Sequence, residues 1–185
     1  ANALPVKISG GSDIAGIFAG SYIQSLDFTG FTGSFANNST SANFTGFNFT
    51  GNITFATGMS FASGTQVLTY INTSGTAVIT SNGKTYPGSL TVNGVGGTVQ
   101  LFDAANFGNG MTITNGTLDP NNKGLTTATL TVNGGTLGAN ILTITCASPG
   151  YGTFSAGTWN TTGTQTYVTF SQSGTTTLTL ANNNF

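Results

Sequence analysis

Along most of the chain, apolar residues alternate with threonine or another small residue. The clearest segments are SLTVNG, TVQLFD, MTITNG, ATLTVNG, ILTITC, QTYVTF and TTLTL. Such alternation places successive side chains on opposite faces of a strand and predicts half-buried β-structure. Helical periodicity is nearly absent, and its best candidate, Asp13–Ile23, is interrupted by glycines, which are poor helix formers. We therefore expect an all-β protein.

The turns between these segments recur at similar intervals. LTVNG occurs at Leu90–Gly94 and again at Leu130–Gly134, with ITNG between them. A loose period near 20 residues is typical of a β-solenoid, in which each coil holds two or three short strands. We predict a parallel β-helix of about eight coils of about 20 residues each. Asn93, Asn115 and Asn133 are then predicted to form a stacked ladder along one edge, about 5 Å apart between adjacent coils.

Asn-Gly between alternating strands is also a strong signal for a β-hairpin. An antiparallel β-sandwich or jelly roll is therefore the alternative fold. The residues around the turns are repeated along with the turns themselves. This favours the solenoid, because each of its coils occupies the same environment as its neighbour.

The extent of the repeat pattern divides the chain into three expected segments. Residues 25–160 carry the β-helix repeats. Residues 1–24 lack the pattern and are expected to be an N-terminal attachment or capping segment. Residues 161–185 keep the alternation without the motifs and are expected to cap the helix or mediate oligomerisation.

Charge is scarce, at 4% of residues against roughly 25% in an ordinary soluble domain. In a parallel solenoid, equivalent side chains stack about 4.8 Å apart, so repeated like charges would repel, whereas Asn, Thr and Ser form ladders. Three basic residues are too few for binding nucleic acid. The chain also has no run of about 20 apolar residues, so no membrane insertion is expected.

Candidate chemistry is sparse as well. Asp103 and Asp119 could form a glycosidase-like carboxyl pair on neighbouring coils, but they lie at a strand end and in a turn, where structural roles are more common. The sequence has no His and a single Cys, so neither a metal site nor a cofactor is expected. Cys146 lies in an apolar run and is interpreted as a buried small hydrophobe. We predict that the protein is not an enzyme.

Three further patterns have structural and functional interpretations. Asn-x-Ser/Thr sequons are interpreted as chance in an Asn- and Thr-rich chain, although they could carry glycans on a cellular surface protein. Thr-x-Thr pairs resemble one device of ice-binding solenoids, although threonine also favours the outer face of any strand. Phenylalanines concentrated in the first third are interpreted as core residues, with an intersubunit contact as the alternative. The sequons are at Asn38, Asn43, Asn48, Asn52, Asn72, Asn115 and Asn160.

A family resemblance covers roughly Ser25–Trp159. The segments TSNGKTYPGSLTVNGVGG and NGTLDPNNK are its most specific parts. This series resembles the solenoid repeats of virion structural proteins of marine and freshwater tailed bacteriophages. The resemblance implies a virion-surface fibre, decoration protein or tail appendage. A cellular surface adhesin or extracellular filament subunit is the alternative, with an extracellular or cell-surface location.

Several partners are expected with this role. A nearly uncharged rod should associate with itself, and we expect a homo-oligomer, in the first place a trimer. Other virion or surface structural proteins and a host-surface glycan are further expected partners.

Overall fold

A computed structural model describes the backbone of residues 3–12, 14–15, 21–36, 46–62, 66–138, 141–159, 167–171 and 178–180. Side chains are described for residues 3–12, 21–35, 46–62, 66–138 and 144–146. Within these ranges every assigned element is a β-strand, and no helix is found. The all-β expectation is therefore confirmed for the described residues. Within the helix candidate Asp13–Ile23, the described residues Ile14, Ala15, Tyr22 and Ile23 lie in strands.

The strands are short in the first half of the chain and long in the second. The short strands are β1 (Leu4–Lys7), β2 (Ile14–Ala15), β3 (Tyr22–Asp27), β4 (Ser34–Ala36), β5 (Gly46–Phe49), β6 (Ile53–Thr54), β7 (Ser60–Phe61), β8 (Val67–Tyr70), β9 (Thr76–Thr80) and β10 (Thr85–Tyr86). They are followed by β11 (Ser89–Leu101), β12 (Ala105–Phe107), β13 (Gly110–Asp119), β14 (Lys123–Leu137), β15 (Ile141–Trp159), β16 (Tyr167–Ser171) and β17 (Leu178–Leu180).

All described strand pairings are parallel, and they join each coil to the coils before and after it. β8 pairs with the first part of β11, which pairs with the first part of β13. Parallel neighbours cannot be joined by a tight hairpin. The prediction of a parallel β-solenoid is therefore confirmed, and the antiparallel sandwich is wrong.

The coils have three sides. Side A contains β5, β8 and the first part of β11; side B contains β6, β9 and the last part of β11. Side C contains β10, β12 and the first part of β14. Towards the N-terminus, β2, β4 and β7 form a separate three-stranded sheet. The later strands are long because β11 and β13 continue around the corner from side A to side B, and β14 and β15 continue around two corners, from side C through side A to side B.

The described residues form about six turns, slightly fewer than the eight predicted. At the N-terminal end, β1 pairs with β3, and at the C-terminal end β16 and β17 pair with β15. These strands extend the parallel pairing beyond the central turns, but parts of their connections lie outside the described residues. The residues before position 25 therefore already contain strands that pair with the repeats.

The core is the interior of the solenoid, where equivalent residues of successive coils stack. On side A, Leu68, Leu90, Met111 and Leu130 form one inward column, and each is at most 1% exposed. On side C, Phe107 pairs with Thr127, which pairs with Cys146. Each coil therefore buries its apolar residues against those of the coils above and below.

The N-terminal coils have an aromatic core. The Phe55 ring lies 4.9 Å from Phe61, 6.0 Å from Tyr86 and 6.2 Å from Phe28, measured between ring centroids. Phe47 and Phe49 are buried as well. These rings fill the interior of the chain itself, as expected for core residues. Phe44 lies outside the described residues.

Replacing Phe55 with alanine should lower the free energy of unfolding by about 3–5 kcal/mol, because it leaves a cavity among three rings. Phe102→Ala is the matched control: this ring is 63% exposed and its loss should change stability by less than about 0.5 kcal/mol. Urea unfolding followed by circular dichroism measures both. Equal midpoints for the two variants would contradict the described core.

Candidate functional site

Threonines at equivalent positions of successive coils form two columns along the solenoid, and those between residues 69 and 136 have described side chains that face outward. On side A, Thr69, Thr91, Thr112, Thr131, Thr153 and Thr179 pair in register, one from each successive coil. On side B, the column is Thr76, Thr98, Thr117, Thr136 and Thr158. The β-branched side chain suits these half-buried strand positions. The outer surface is therefore ordered in rows, without charge at the repeated positions.

The Thr-x-Thr pairs do not all face outward together. Thr129 and Thr131 lie on side A, but Thr127 is fully buried and its hydroxyl donates to the Thr129 carbonyl, 3.0 Å away. Beside the side-A column, the neighbouring rank contains Val67, Ser89 and Gly110 in register. Side A therefore carries one complete column of threonines, and the column next to it is not made of threonine.

The three asparagines of the predicted ladder lie at the corner between sides A and B, the AB corner. Asn93 pairs in register with Asn115, and the Asn115 side-chain amide donates to the Asn93 side-chain oxygen at 2.7 Å. Asn133 directly follows Val132, which pairs with Ile113, whereas Asn115 lies two residues after Ile113. The Asn133 backbone is therefore shifted by one residue from Asn115. A ladder through all three residues stays a prediction.

Glycine at this corner is required by the close approach of neighbouring coils. A Cβ atom on Gly94 would lie 2.0 Å from the Asn72 carbonyl oxygen, and one on Gly97 would lie 2.3 Å from the same atom. On Gly116, it would lie 2.2 Å from the Gly94 carbonyl oxygen. Real Cβ atoms do not come this close to backbone oxygen. The repeated Asn-Gly is therefore a corner motif, in which glycine lets one coil rest on the next.

The carboxylates at the corner between sides B and C, the BC corner, organise turns. Asp103 accepts hydrogen bonds from the backbone N–H groups of Ser81 and Asn82, at 2.7 and 2.6 Å, in the preceding coil. Asp119 accepts from the Gln100 side-chain amide at 2.8 Å and from the Asn121 backbone N–H at 2.9 Å. Both carboxylates thus have structural contacts, as their strand-end and turn positions suggested.

Two turns at the BC corner share a left-handed conformation. Asn82 and Gly83 have φ angles of 49° and 74°, and the Lys84 backbone N–H donates to the Ser81 carbonyl at 3.0 Å. Asn121 and Asn122 have φ angles of 52° and 57° in the corresponding turn of a later coil. Asparagine and glycine tolerate this region better than other residues do, which explains their recurrence here.

The described charges gather along this BC edge. Lys7 and Asp27 pair in register at its N-terminal end, with 3.7 Å between the ammonium nitrogen and the carboxylate. Hydrogen bonding by the Thr29 hydroxyl and backbone N–H, helped by Lys7, lowers the pKa of Asp27. Lys84, Asp103, Asp119 and Lys123 lie in or beside the BC turns of later coils. Side A and the AB corner carry no charged residue among the described side chains.

A shallow groove of about 270 Å³ runs over side C next to the BC corner. Thr85, Asn106 and Thr126 line it in register, one from each of three successive coils. Small residues form the rest of its surface, together with Lys84. The groove offers hydroxyl and amide groups and one ammonium, a set suited to hydrogen bonding with a polar ligand.

Cys146 is fully buried in the interior column of side C. Burial raises the pKa of its thiol to about 11, from an ordinary value of 9.0. A raised pKa means that the neutral thiol is favoured in the folded protein. The interpretation of Cys146 as a buried hydrophobe agrees with this position.

The other sequence candidates have local structural contacts or lie outside the described residues. The Asn72 side-chain amide donates to the Thr50 carbonyl at 3.1 Å, and the Asn52 side-chain oxygen accepts from the Val78 backbone N–H at 2.9 Å. The sequons at Asn38, Asn43 and Asn160 lie outside the described residues. In the described part of the chain, no group of three or more His, Cys, Asp or Glu side chains could hold a metal ion. No described helix has the length and hydropathy needed to span a bilayer.

The side-B threonine column was not recognised from the sequence, although a signal exists. Each of its five members follows a glycine, so the dipeptide Gly-Thr recurs at Gly75-Thr76, Gly97-Thr98, Gly116-Thr117, Gly135-Thr136 and Gly157-Thr158. No family model matches the chain, and comparisons with curated proteins and with solved structures also find no match.

Gly94→Ala should destabilise the protein by about 1–3 kcal/mol, the usual cost of overpacking, because the new methyl group would overlap the Asn72 carbonyl. Gly124→Ala is the matched control: the nearest atom to a Cβ there is the Ala104 Cβ at 3.9 Å. The control should be neutral or slightly stabilising. Thermal unfolding of the two variants decides, and a stable Gly94→Ala protein would contradict the corner geometry.

Ellman's reagent should react with folded Cys146 at least about a hundredfold more slowly at pH 8 than with the urea-unfolded chain, because the pKa difference lowers the thiolate fraction by that factor. The neutral thiol stabilises the fold below pH 9, and this contribution should be lost as the pH rises towards 11. Rapid reaction of the folded protein at pH 8 would show that the thiol is accessible.

Proposed function

We propose that this chain is a non-enzymatic structural protein of a virion surface, a component of a fibre, decoration layer or tail appendage. The observation that carries the proposal is the continuous parallel pairing of one coil with the next. It makes the chain a rod whose sides are strands linked along the rod axis. A stiff, protease-resistant assembly is the role that such a rod serves best.

Protease resistance follows from how the backbone is used. Proteases cleave segments that open locally, and opening costs most where strands are paired and side chains are buried. The central strands β8, β11, β13 and β14 are each paired with strands of the coils on both sides. Opening one of them therefore disrupts two coil interfaces.

The use of the charged groups supports a structural role over catalysis. The carboxylates of Asp103 and Asp119 accept turn or side-chain hydrogen bonds, and Asp27 is paired with Thr29 and Lys7. General acid–base chemistry needs a titratable group directed at a substrate. The groove on side C, lined by Thr85, Asn106 and Thr126, is the place where a host-surface glycan would find hydrogen-bonding partners.

The proposed assembly contains several copies of the chain, in the first place three, together with other virion structural proteins. A cellular surface adhesin or extracellular filament subunit uses the same physical properties and is the alternative. The two differ in where the protein is found. Gold-labelled antibodies raised against the purified chain, applied to particles and cells from the source material, distinguish them.

Labelling of virus particles at a fixed position, absent from the cell surface, is the expected result. An antibody against an unrelated protein from the same host serves as the control. Labelling confined to cell surfaces or extracellular filaments would overturn the virion proposal and support the adhesin or filament alternative.

Ice binding is a second candidate because of one specific observation, the six in-register threonines of side A. Neighbouring members are about 4.8 Å apart, the spacing between adjacent strands. The neighbouring column contains Val67 and Gly110 in place of threonine, so side A lacks the second row of hydroxyl groups needed to match an ice surface in two dimensions. Thermal hysteresis of the purified protein tests the candidate, and its absence would eliminate it.

A further inference from the structure

The uneven distribution of charge divides the solenoid surface into two regions. All described Lys and Asp side chains lie at the N-terminal end of the BC edge or in its turns. The AB corner and the threonine columns on either side of it form a continuous uncharged surface, here called the neutral surface. Because the chain has so few charges, this distribution leaves the BC edge with charged, hydrated side chains and the AB corner with none.

The neutral surface also carries an exposed apolar side chain. Val95 lies at the AB corner and is 64% exposed. The exposed groups around it include Thr73, Ser74 and Asn93, which are uncharged. Burying this surface would desolvate hydroxyl, amide and methyl groups but no ion. Removing a charged group from water costs far more free energy than removing a neutral polar or apolar group.

We propose that the neutral surface is where copies of this chain associate with one another. Around a two-fold or three-fold symmetry axis, equivalent residues close to the axis face one another, so any charge there would face an equal charge. The neutral surface satisfies this requirement, and the BC edge, with Lys84 and Lys123 in its turns, does not. The inference rests on the proposed structural role and deepens it by naming the interface.

The size of the surface suits a stable contact. Six coils at about 4.8 Å each give a height of roughly 30 Å. Eight residues from Thr91 to Thr98 around the corner give a width of at most about 25 Å at roughly 3.3 Å per residue. The resulting area of about 700 Å² is close to the roughly 800 Å² that each partner contributes to a standard interface.

The test compares two substitutions in the same coil. Val95→Asp places a carboxylate at the centre of the neutral surface, whereas Phe102→Asp places one at the BC corner. The two native side chains are 64% and 63% exposed, so neither change disturbs a buried residue. Analytical ultracentrifugation at about 10 μM measures mass, and circular dichroism checks folding. We expect an oligomer for the native chain and for Phe102→Asp, and at least tenfold weaker association for Val95→Asp.

A labelling experiment covers the case in which Val95→Asp does not fold. In Val95→Cys, maleimide should react slowly in the oligomer and rapidly after dilution to monomer, whereas Phe102→Cys should react rapidly at both concentrations. The buried Cys146 thiol should contribute little to either signal.

A native chain that is monomeric at 10 μM overturns the proposal, and so does an oligomer dissociated by Phe102→Asp but not by Val95→Asp. Rapid maleimide reaction of Val95→Cys within the oligomer also overturns it. Thermal hysteresis from the monomer would instead assign the neutral surface to ice. None of these outcomes alters the labelling of virus particles, so the interface can fail while the proposed function stands.

Discussion

Parallel pairing between equivalent residues of successive coils is the constraint on which the rest of this structure depends. Because each strand takes its hydrogen-bond partners from neighbouring coils, a residue is stacked against its counterpart one turn away. Leu90 is stacked on Leu68 and beneath Met111, and Thr91 occupies the same place in the outer column. A residue type is therefore acceptable at a position only if it tolerates a similar neighbour about 4.8 Å away.

This constraint explains the unusual composition. Threonine, asparagine and aliphatic side chains tolerate such neighbours, whereas a column of like charges would not. The described charges lie at strand ends or in turns, and Asp103 and Asp119 each accept a backbone N–H group exposed by a bend in the chain. The same stacking makes the corners crowded, and it explains why Gly94 and Gly116 lie where the backbone of the next coil passes.

A rod with one charged edge and one neutral corner is suited to assembly. The charged BC edge remains hydrated, and the neutral surface can be covered at little electrostatic cost. The proposed virion-surface role and the proposed association of copies both draw on this division. The side-C groove, which lies beside the charged edge and away from the neutral surface, would remain available for a polar ligand in such an assembly.

The amino-acid sequence by itself determined the strand content, the parallel solenoid and the burial of most of the described phenylalanines in the first third of the chain. These follow from the alternation of apolar and polar residues and from the recurrence of LTVNG, both of which can be recognised in the sequence without knowing which residues are neighbours in space. The number of turns was less predictable, because coils differ in length: the side-A and side-B strands are joined by five residues after Tyr70 but by three after Ile113. Asn133 and Asn115 lie in connections of equal length, but Asn133 is the first residue after its side-A strand and Asn115 is the second, so this shift comes from the order of residues in the corner.

Only the tertiary structure decided which side each residue shares with its neighbours. Thr127 is buried and Thr129 is not, although both belong to one Thr-x-Thr run, because the chain turns a corner between them. The gathering of Lys7, Asp27, Lys84, Asp103, Asp119 and Lys123 along one edge is likewise invisible in the sequence. Their spacing along the chain is irregular, and only the winding of the coils, set by corner geometry and strand register, aligns them.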